Sequence, residues 1–344
     1  MKKYIQFVET IGNDAGASNK ARFDVATVAT KKGFQIERIN APIIQRGGVL
    51  GKIIAKAQYM INLYSAISVL DNNTVLMVQI PFINCSIFSH NIIRKRIVKK
   101  KCKALLFVHD INEIRDPSWI KQNESFNQLL NVADKIVSHN ANMTEYLLKK
   151  GINRDKIIDL EIFDYLMEDY KSSTDYCKSV YIAGNLDQEK SHYLSELFNL
   201  KKIKFELYGP NYNIKPADNI HYNGIVKSSE LPNLLNRGFG LVWDGDTIET
   251  CKGPFGEYLK YNNPHKLSLY LASGIPVIIW RKAAEAEFVR ENNLGIVVDS
   301  LYELEDVLEK IDEDKYKLIL KSVNSMREKI CTGYFVSKAI SALL

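Results

Sequence analysis

The sequence predicts an α/β fold of two domains, each built on a doubly wound parallel sheet, and three observations predict it. Short, wholly apolar segments such as Thr74–Gln79 (TVLMVQ) and Ala104–His109 (ALLFVH) alternate with segments of helical spacing. Strands this apolar are those of a parallel sheet covered on both faces. A polar, charged stretch, Asp164–Asp175 (DYLMEDYKSSTD), interrupts the alternation, which then restarts and runs to the end. A chain of 344 residues, 46% hydrophobic and 25% charged, is long enough for an apolar core in each half.

In order, Tyr4–Val8 reads as a strand, Glu9–Asn19 as a loop, and Lys20–Lys32 as a helix closed by Gly33. Strand Phe34–Ile39 follows, then a long amphipathic helix, Gly51–Leu70, and strand Thr74–Gln79. Helix Ile83–Lys101, strand Ala104–His109, helix Asn123–Val132, strand Lys135–Ser138 and helix Asn142–Lys150 complete the first half. In the second half, strands are expected at Ser179–Ala183, Phe205–Tyr208, Ile220–Tyr222, Gly238–Val242, Pro276–Ile279 and Ile296–Val298. Helices are expected at Ser191–Phe198, Ser229–Asn236, His265–Leu271, Ala283–Arg290, Leu301–Lys310, Glu313–Met326 and Lys329–Leu344.

Composition excludes several classes. The N-terminus has no small-residue cleavage site behind its broken apolar run, so it reads as a strand and not as a signal peptide. The longest apolar run, Leu269–Trp280, is shorter than the roughly 20 residues a membrane span needs, so a cytoplasmic protein is expected. Five scattered cysteines without a CxxC pair imply free thiols in a reducing compartment. Six isolated histidines show no metal spacing. Seven basic residues between Arg94 and Lys103 (RKRIVKKKCK) read first as the solvated face of a helix. Contact with anionic lipid at the inner face of a membrane is the alternative; nucleic acid is disfavoured, because no aromatic residues interleave.

In doubly wound sheets ligands bind at the carboxyl ends of strands, so the loops there carry the candidate chemistry. The densest is within Gly238–Trp280, where a strand leads into Trp243-Asp244-Gly245-Asp246 and Asn262-Asn263-Pro264-His265-Lys266 opens a helix. A helix N-terminus presents free N–H groups and a positive dipole end to an anion. Lys266 in that first turn opposes the dipole, which marks it as a phosphate partner or leaves it an ordinary surface lysine. Gly184, Asn185 and Lys190 follow one strand and Tyr208 ends the next; the tyrosine suits either base stacking or packing. The loop Glu9–Asn19 (ETIGNDAGASN) is small-residue-rich but is neither GxGxxG nor a P-loop. Asp110, at the end of Ala104–His109, is placed either as a general base or as a cap of the following helix, with Glu9 and Asp14 as competing bases.

GFGLVWDGD and NNPHKLSLYLASGIPVII, supported by QIPF at Gln79–Phe82, LLFVHDINEIR at Leu105–Arg115 and AGN at Ala183–Asn185, resemble bacterial glycosyltransferases of the GT-B type. Among these, β-1,6-galactofuranosyltransferases look nearest and streptococcal adhesin glucosyltransferases more distant. The resemblance implies two Rossmann-like domains facing a cleft. Residues 1–164 with 328–344 would form the acceptor domain, the terminal helix crossing back to it, and 165–327 the donor domain. It implies a UDP-sugar donor held without metal or other cofactor: Lys266 at the diphosphate, Tyr208 near the uracil, Gly184, Asn185 and Lys190 along the nucleotide, Asp244 and Asn263 beside it, and Gly16 and Ser18 closing over it. The arginine that adhesin-type relatives carry in the Asn185–Lys190 loop is replaced by Gln188 and Lys190. Asp244 and Asp246 read as hydrogen-bonding acids, with a metal role as the alternative. Inverting transfer to a carbohydrate or lipid-linked acceptor would use Asp110 as base, and association into a homo-oligomer would be compatible.

Overall fold

A computed structural model of the chain describes residues 2–11, 17–41, 48–84, 86–115, 120–169 and 175–342. They divide into two compact units: Met1–Ala15, Arg22–Leu160 and Val336–Leu344 in one, Gly16–Ala21 and Glu161–Phe335 in the other.

The first unit carries a six-stranded, fully parallel sheet in the order β2-β1-β3-β4-β5-β6. Its strands are β1 (Lys3–Ile11), β2 (Gln35–Ala41), β3 (Thr74–Ile80), β4 (Lys103–Val108), β5 (Lys135–Ser138) and β6 (Ile157–Asp159). All seven residues of β3 are buried, as a central strand covered on both faces requires. Helices α1 (Ala17–Lys31), α2 (Gly48–Ser68), α3 (Ser86–Lys100), α4 (Asn112–Arg115), α5 (Ile120–Val132) and α6 (Ala141–Lys149) connect them. Leu63 of α2, Ile93 of α3 and Leu129 of α5 close over Leu76 and Leu106 of the sheet, all fully buried. Each such side chain contributes about 1.5–3 kcal/mol by leaving water.

The strand order in this sheet reverses between β1 and β3, and a polar network holds the strand ends there. The buried Glu9 carboxylate accepts from Ile83 N at 2.7 Å, Asn84 N at 2.9 Å and Asn84 Nδ2 at 3.2 Å. Arg22 Nη2 donates to Pro81 O at 2.6 Å, Gln79 Nε2 donates to Arg22 O at 3.1 Å, and His109 Nε2 lies 2.7 Å from Gln79 Oε1.

The second unit repeats the plan in the order β12-β11-β10-β7-β8-β9, again all parallel. Its strands are β7 (Asp175–Ala183), β8 (Phe205–Tyr208), β9 (Ile220–Tyr222), β10 (Arg237–Val242), β11 (Val277–Trp280) and β12 (Gly295–Val298). The helices are α7 (Gly253–Tyr258), α8 (His265–Ser273), α9 (Ala286–Glu291), α10 (Leu304–Glu309), α11 (Glu313–Thr332) and α12 (Tyr334–Ser341). Gly240 admits no side chain, since a β-carbon there would lie 2.1 Å from the Tyr270 ring of α8. That closeness lets the Tyr270 hydroxyl accept from Ala183 N at 2.9 Å, joining α8 to the end of β7.

Several expected elements differ. Ser191–Phe198 is a 3-10 helix over His192–Asn199, and Ser229–Asn236 shrinks to a single 3-10 turn, Leu231–Asn233, where Pro232 removes a donor. Strand β6 and helix α7 were not anticipated, both being short and weakly patterned. The expected terminal helix from Lys329 is two: α11 ends where Gly333 turns left-handed (φ 84°), and α12 follows, its residues from Val336 grouped with the first unit.

Burial keeps three histidines neutral, with His90 lowered to about 4 and His139 and His265 to about 3. The unfolded chain takes up these protons first as pH falls below about 6.5, so the folded state loses about 1.4 kcal/mol per pH unit per histidine. The thermal midpoint is therefore expected to drop between pH 7 and pH 5. In His139→Gln the drop should be smaller; an identical drop would remove His139 from the cause.

Candidate functional site

In the second sheet the strand order reverses between β7 and β10, and such a switch point leaves a crevice at the carboxyl ends of the two strands. Three segments meet there. Trp243-Asp244-Gly245 follows β10, Gly184-Asn185 follows β7, and α8 begins after Asn262-Asn263-Pro264.

Lys266 does not point into solvent. Its Nζ sits 2.9 Å from Asp244 Oδ1 and donates to Trp243 O at 2.9 Å. Lys190 Nζ stands 3.8 Å from the same Asp244 oxygen. The side chains of Asp244 and Lys266 are 8% and 14% exposed, against 30% for Lys190. Burial lowers the Lys266 pKa; Asp244 opposes that shift and Lys190 adds to it. Two ammonium groups thus share one carboxylate, and the surplus positive charge is costly to bury unless an anion joins it. The backbone fixes this arrangement, with Gly245 N donating to Lys190 O and Tyr193 N to Gly245 O, both at 3.2 Å.

The first turn of α8 is held from below. Asn263 Nδ2 donates to Glu161 O at 3.0 Å and Ser268 Oγ to Phe163 O at 2.8 Å. The Asn263 side chain therefore anchors the helix start. His265 stacks on Tyr165 with ring centroids 5.1 Å apart. Two polar atoms of this turn, His265 Nε2 and Asn262 Oδ1, are buried and find no hydrogen-bond partner among the described residues. Buried polar atoms are rarely left so, and a bound ligand is one way to satisfy them.

On the β7–β8 side, Gly184 N donates to Tyr208 O at 3.0 Å, and Gly209 (φ 147°) comes so close that a β-carbon would fall 1.7 Å from Gly184 O. Only glycine allows that approach. Asn185 Oδ1 accepts from Asp187 N at 3.2 Å and Asn211 Nδ2 at 2.8 Å, which shapes the loop. Tyr208 is half-buried, its ring centroid 6.3 Å from that of Tyr181.

The acids of Asp244-Gly245-Asp246 diverge. Asp244 meets the lysines, whereas exposed Asp246 lies over Gly253, where a β-carbon would be 2.6 Å from its Oδ2. Among the described residues no three His, Cys, Asp or Glu side chains gather as a metal cluster.

In the first unit, Asp110 follows β4, half-exposed, with Oδ1 3.7 Å from Arg115 Nη1. Glu9 is engaged by the Ile83–Asn84 backbone as described. Asp14 and Gly16 lie outside the described residues, and of Ser18 only its place at the start of α1 is described. Sequence reading missed His265, Asn262 and Tyr270, although the first two stand inside the quoted NNPHK.

Residues 2–162 match the N-terminal domain and residues 180–343 the C-terminal domain of the family described as glucosyltransferase 3-like. The chain belongs to that family. It is 36% identical to the β-1,6-galactofuranosyltransferase WbbI of Escherichia coli K12, over 96% of this chain and 94% of that one. It is 28% identical to glucosyltransferase 3 of Streptococcus gordonii, over 77% and 78%. Among solved structures, Anabaena HepE in complex with UDP and glucose superposes with a TM-score of 0.61 at 12% identity, covering 100% of this chain and 99% of that chain. Sucrose-phosphate synthase of Thermosynechococcus elongatus gives 0.69 at 10%, covering 99% and 98%. The fold is thus GT-B, and this glucosyltransferase 3-like protein is a glycosyltransferase of the hexosyltransferase class.

Truncating Lys266 to Met leaves Asp244 buried with only the more distant Lys190, which should cost about 3 kcal/mol in urea unfolding. Adding Asp244→Asn should recover most of that loss. A double variant as unstable as the sum of the two single ones would contradict the pairing.

Proposed function

We propose that this glycosyltransferase binds a UDP-hexose at the switch point of its second sheet and transfers the sugar, with inversion, to a carbohydrate acceptor in polysaccharide or glycoconjugate assembly. UDP-galactofuranose is the donor in this reading, supported by the 36% identity with a β-1,6-galactofuranosyltransferase over nearly the whole of both chains. The observation that carries the donor site is the pair Lys190 and Lys266 sharing one buried carboxylate at the start of α8.

The chemistry follows from that charge. A diphosphate placed at the helix N-terminus meets free N–H groups, the dipole and two ammonium groups. As the bond between the anomeric carbon and the diphosphate oxygen breaks, negative charge grows on that oxygen. Groups already oriented towards it lower the barrier. The acceptor hydroxyl oxygen forms the new bond from the opposite face and gives its proton to Asp110, the half-exposed carboxylate that follows β4. Tyr208 lies against the uracil, Asn185 and Gly184 border the nucleotide, and Asp244 takes up both lysines again once UDP leaves. With two lysines on the diphosphate, no metal is required.

The test is UDP release from UDP-galactofuranose, UDP-glucose and UDP-galactose, with and without acceptor oligosaccharides and with chelator. Acceptor-dependent release, fastest with UDP-galactofuranose and unchanged by chelator, is expected. Lys266→Ala should lower kcat about 10²–10³-fold, and Asp110→Asn about 10²–10⁴-fold. Turnover of UDP-glucose alone would favour the alternative of a glucosyltransferase acting on a glycoprotein; the 28% identical streptococcal relative is named a glucosyltransferase. No release from any donor would leave a non-catalytic nucleotide-sugar-binding subunit.

A further inference from the structure

Helix α2 (Gly48–Ser68) is apolar on two faces. One packs on the sheet through Tyr59, Leu63 and Ala66. The other holds Val49, Leu50, Ile53, Ile54, Ile61 and Tyr64, every one of them more than half exposed. At 3.6 residues per turn these six fall within an arc of about 140°. Exposed Lys52 and Lys56 border the stripe on one side, and Gln58, Asn62 and Ser65 on the other. A soluble helix with nothing to cover it normally turns a polar face to water. This stripe is therefore a contact surface, because contiguous exposed apolar area of this kind marks a protein or membrane contact.

Charge selects between those partners. Residues 38–109 hold eleven Lys and Arg and a single acid, Asp71, whereas the whole chain has a net charge of only +6. Asp71 is itself taken by Lys3 at 2.6 Å. Neither α2 nor the neighbouring α3 (Ser86–Lys100) contains an acidic residue. Arg96 of α3 ties the two helices together, its Nε donating to Ile67 O at 3.0 Å at the end of α2. Beside that end stand exposed Lys95, Lys99 and Lys101, and α3 adds two more exposed apolar side chains, Phe88 and Val98. A second copy of the same surface would set these like charges against one another, whereas an anionic lipid surface complements both the lysines and the apolar stripe. No described helix is long and apolar enough to cross a membrane, so the contact lies along the surface.

We infer that α2 and α3 of the first unit form a docking surface for an anionic phospholipid bilayer, α2 seating its outward apolar stripe at the headgroup boundary and the α3 lysines pairing with the headgroups. This site is separate from the donor chemistry at Lys266 and does not depend on it.

Flotation of the full-length protein with vesicles, without donor or acceptor, tests the inference. Vesicles of phosphatidylcholine with about 30% phosphatidylglycerol should carry the protein, and binding should weaken as salt rises. Lys95→Ala with Lys99→Ala should lower the partition coefficient about fivefold per lysine. Ile53→Ser with Ile54→Ser should lower it at least about tenfold, and both variants should keep the thermal midpoint of the parent. Failure to float with anionic vesicles, or equal flotation of the parent and both variants, would overturn the inference. So would a light-scattering mass above one chain that falls to a monomer in Ile53→Ser/Ile54→Ser, which would assign the stripe to self-association.

Discussion

The contact on which the donor site depends is the ion pair between Lys266 and Asp244, with Lys190 set slightly further from the same oxygen. It joins the first turn of α8 to the end of β10 across 22 positions of sequence. Without a ligand the carboxylate keeps two lysines from repelling each other in a largely buried place. In the proposed reading a diphosphate gives the lysines a stronger anionic partner, and Asp244 is the holder that positions them. A buried pair of this kind is a poor source of stability but a good way to fix the direction of a charge. Tyr270 and Gly240 serve the same end. By letting α8 lie tightly against β10 and reach the end of β7, they set the helix N-terminus at the switch point.

The two sheets use the same topology for different purposes. In the second, the switch point is charged and carries orphaned polar atoms. In the first, the corresponding place is closed by its own network, with Glu9 clamping the Ile83–Asn84 turn and Arg22 and Gln79 filling the strand ends. The proposed nucleotide site thus draws on one sheet, while Asp110 follows β4 of the other, one strand beyond that network.

Much of the fold was legible because parallel strands buried on both faces are continuous apolar runs. Thr74–Ile80 and Lys103–Val108 could hardly be anything else. Short elements were not legible: β6 has three residues, and the 3-10 turns lack the length over which helical periodicity shows. Lys266 was readable as a charge in an unfavourable place on a helix, but its partner was not, because no local pattern links it to Asp244. Glu9 looked like a free acid at a strand end, and only the folded turn reveals it as a backbone clamp. For α2 the periodicity was read as one apolar stripe on an amphipathic helix. The second stripe appears only once packing has chosen which face meets the sheet.

The most direct measurement of the central claim is calorimetric titration of the protein with UDP, UMP and uridine, in the parent and in Lys266→Met. If Lys266 neutralises the diphosphate, UDP should bind at least about a hundredfold more tightly than uridine in the parent, and most of that advantage should vanish in the variant. Equal affinity of parent and variant for UDP, with the variant folded, would contradict the account.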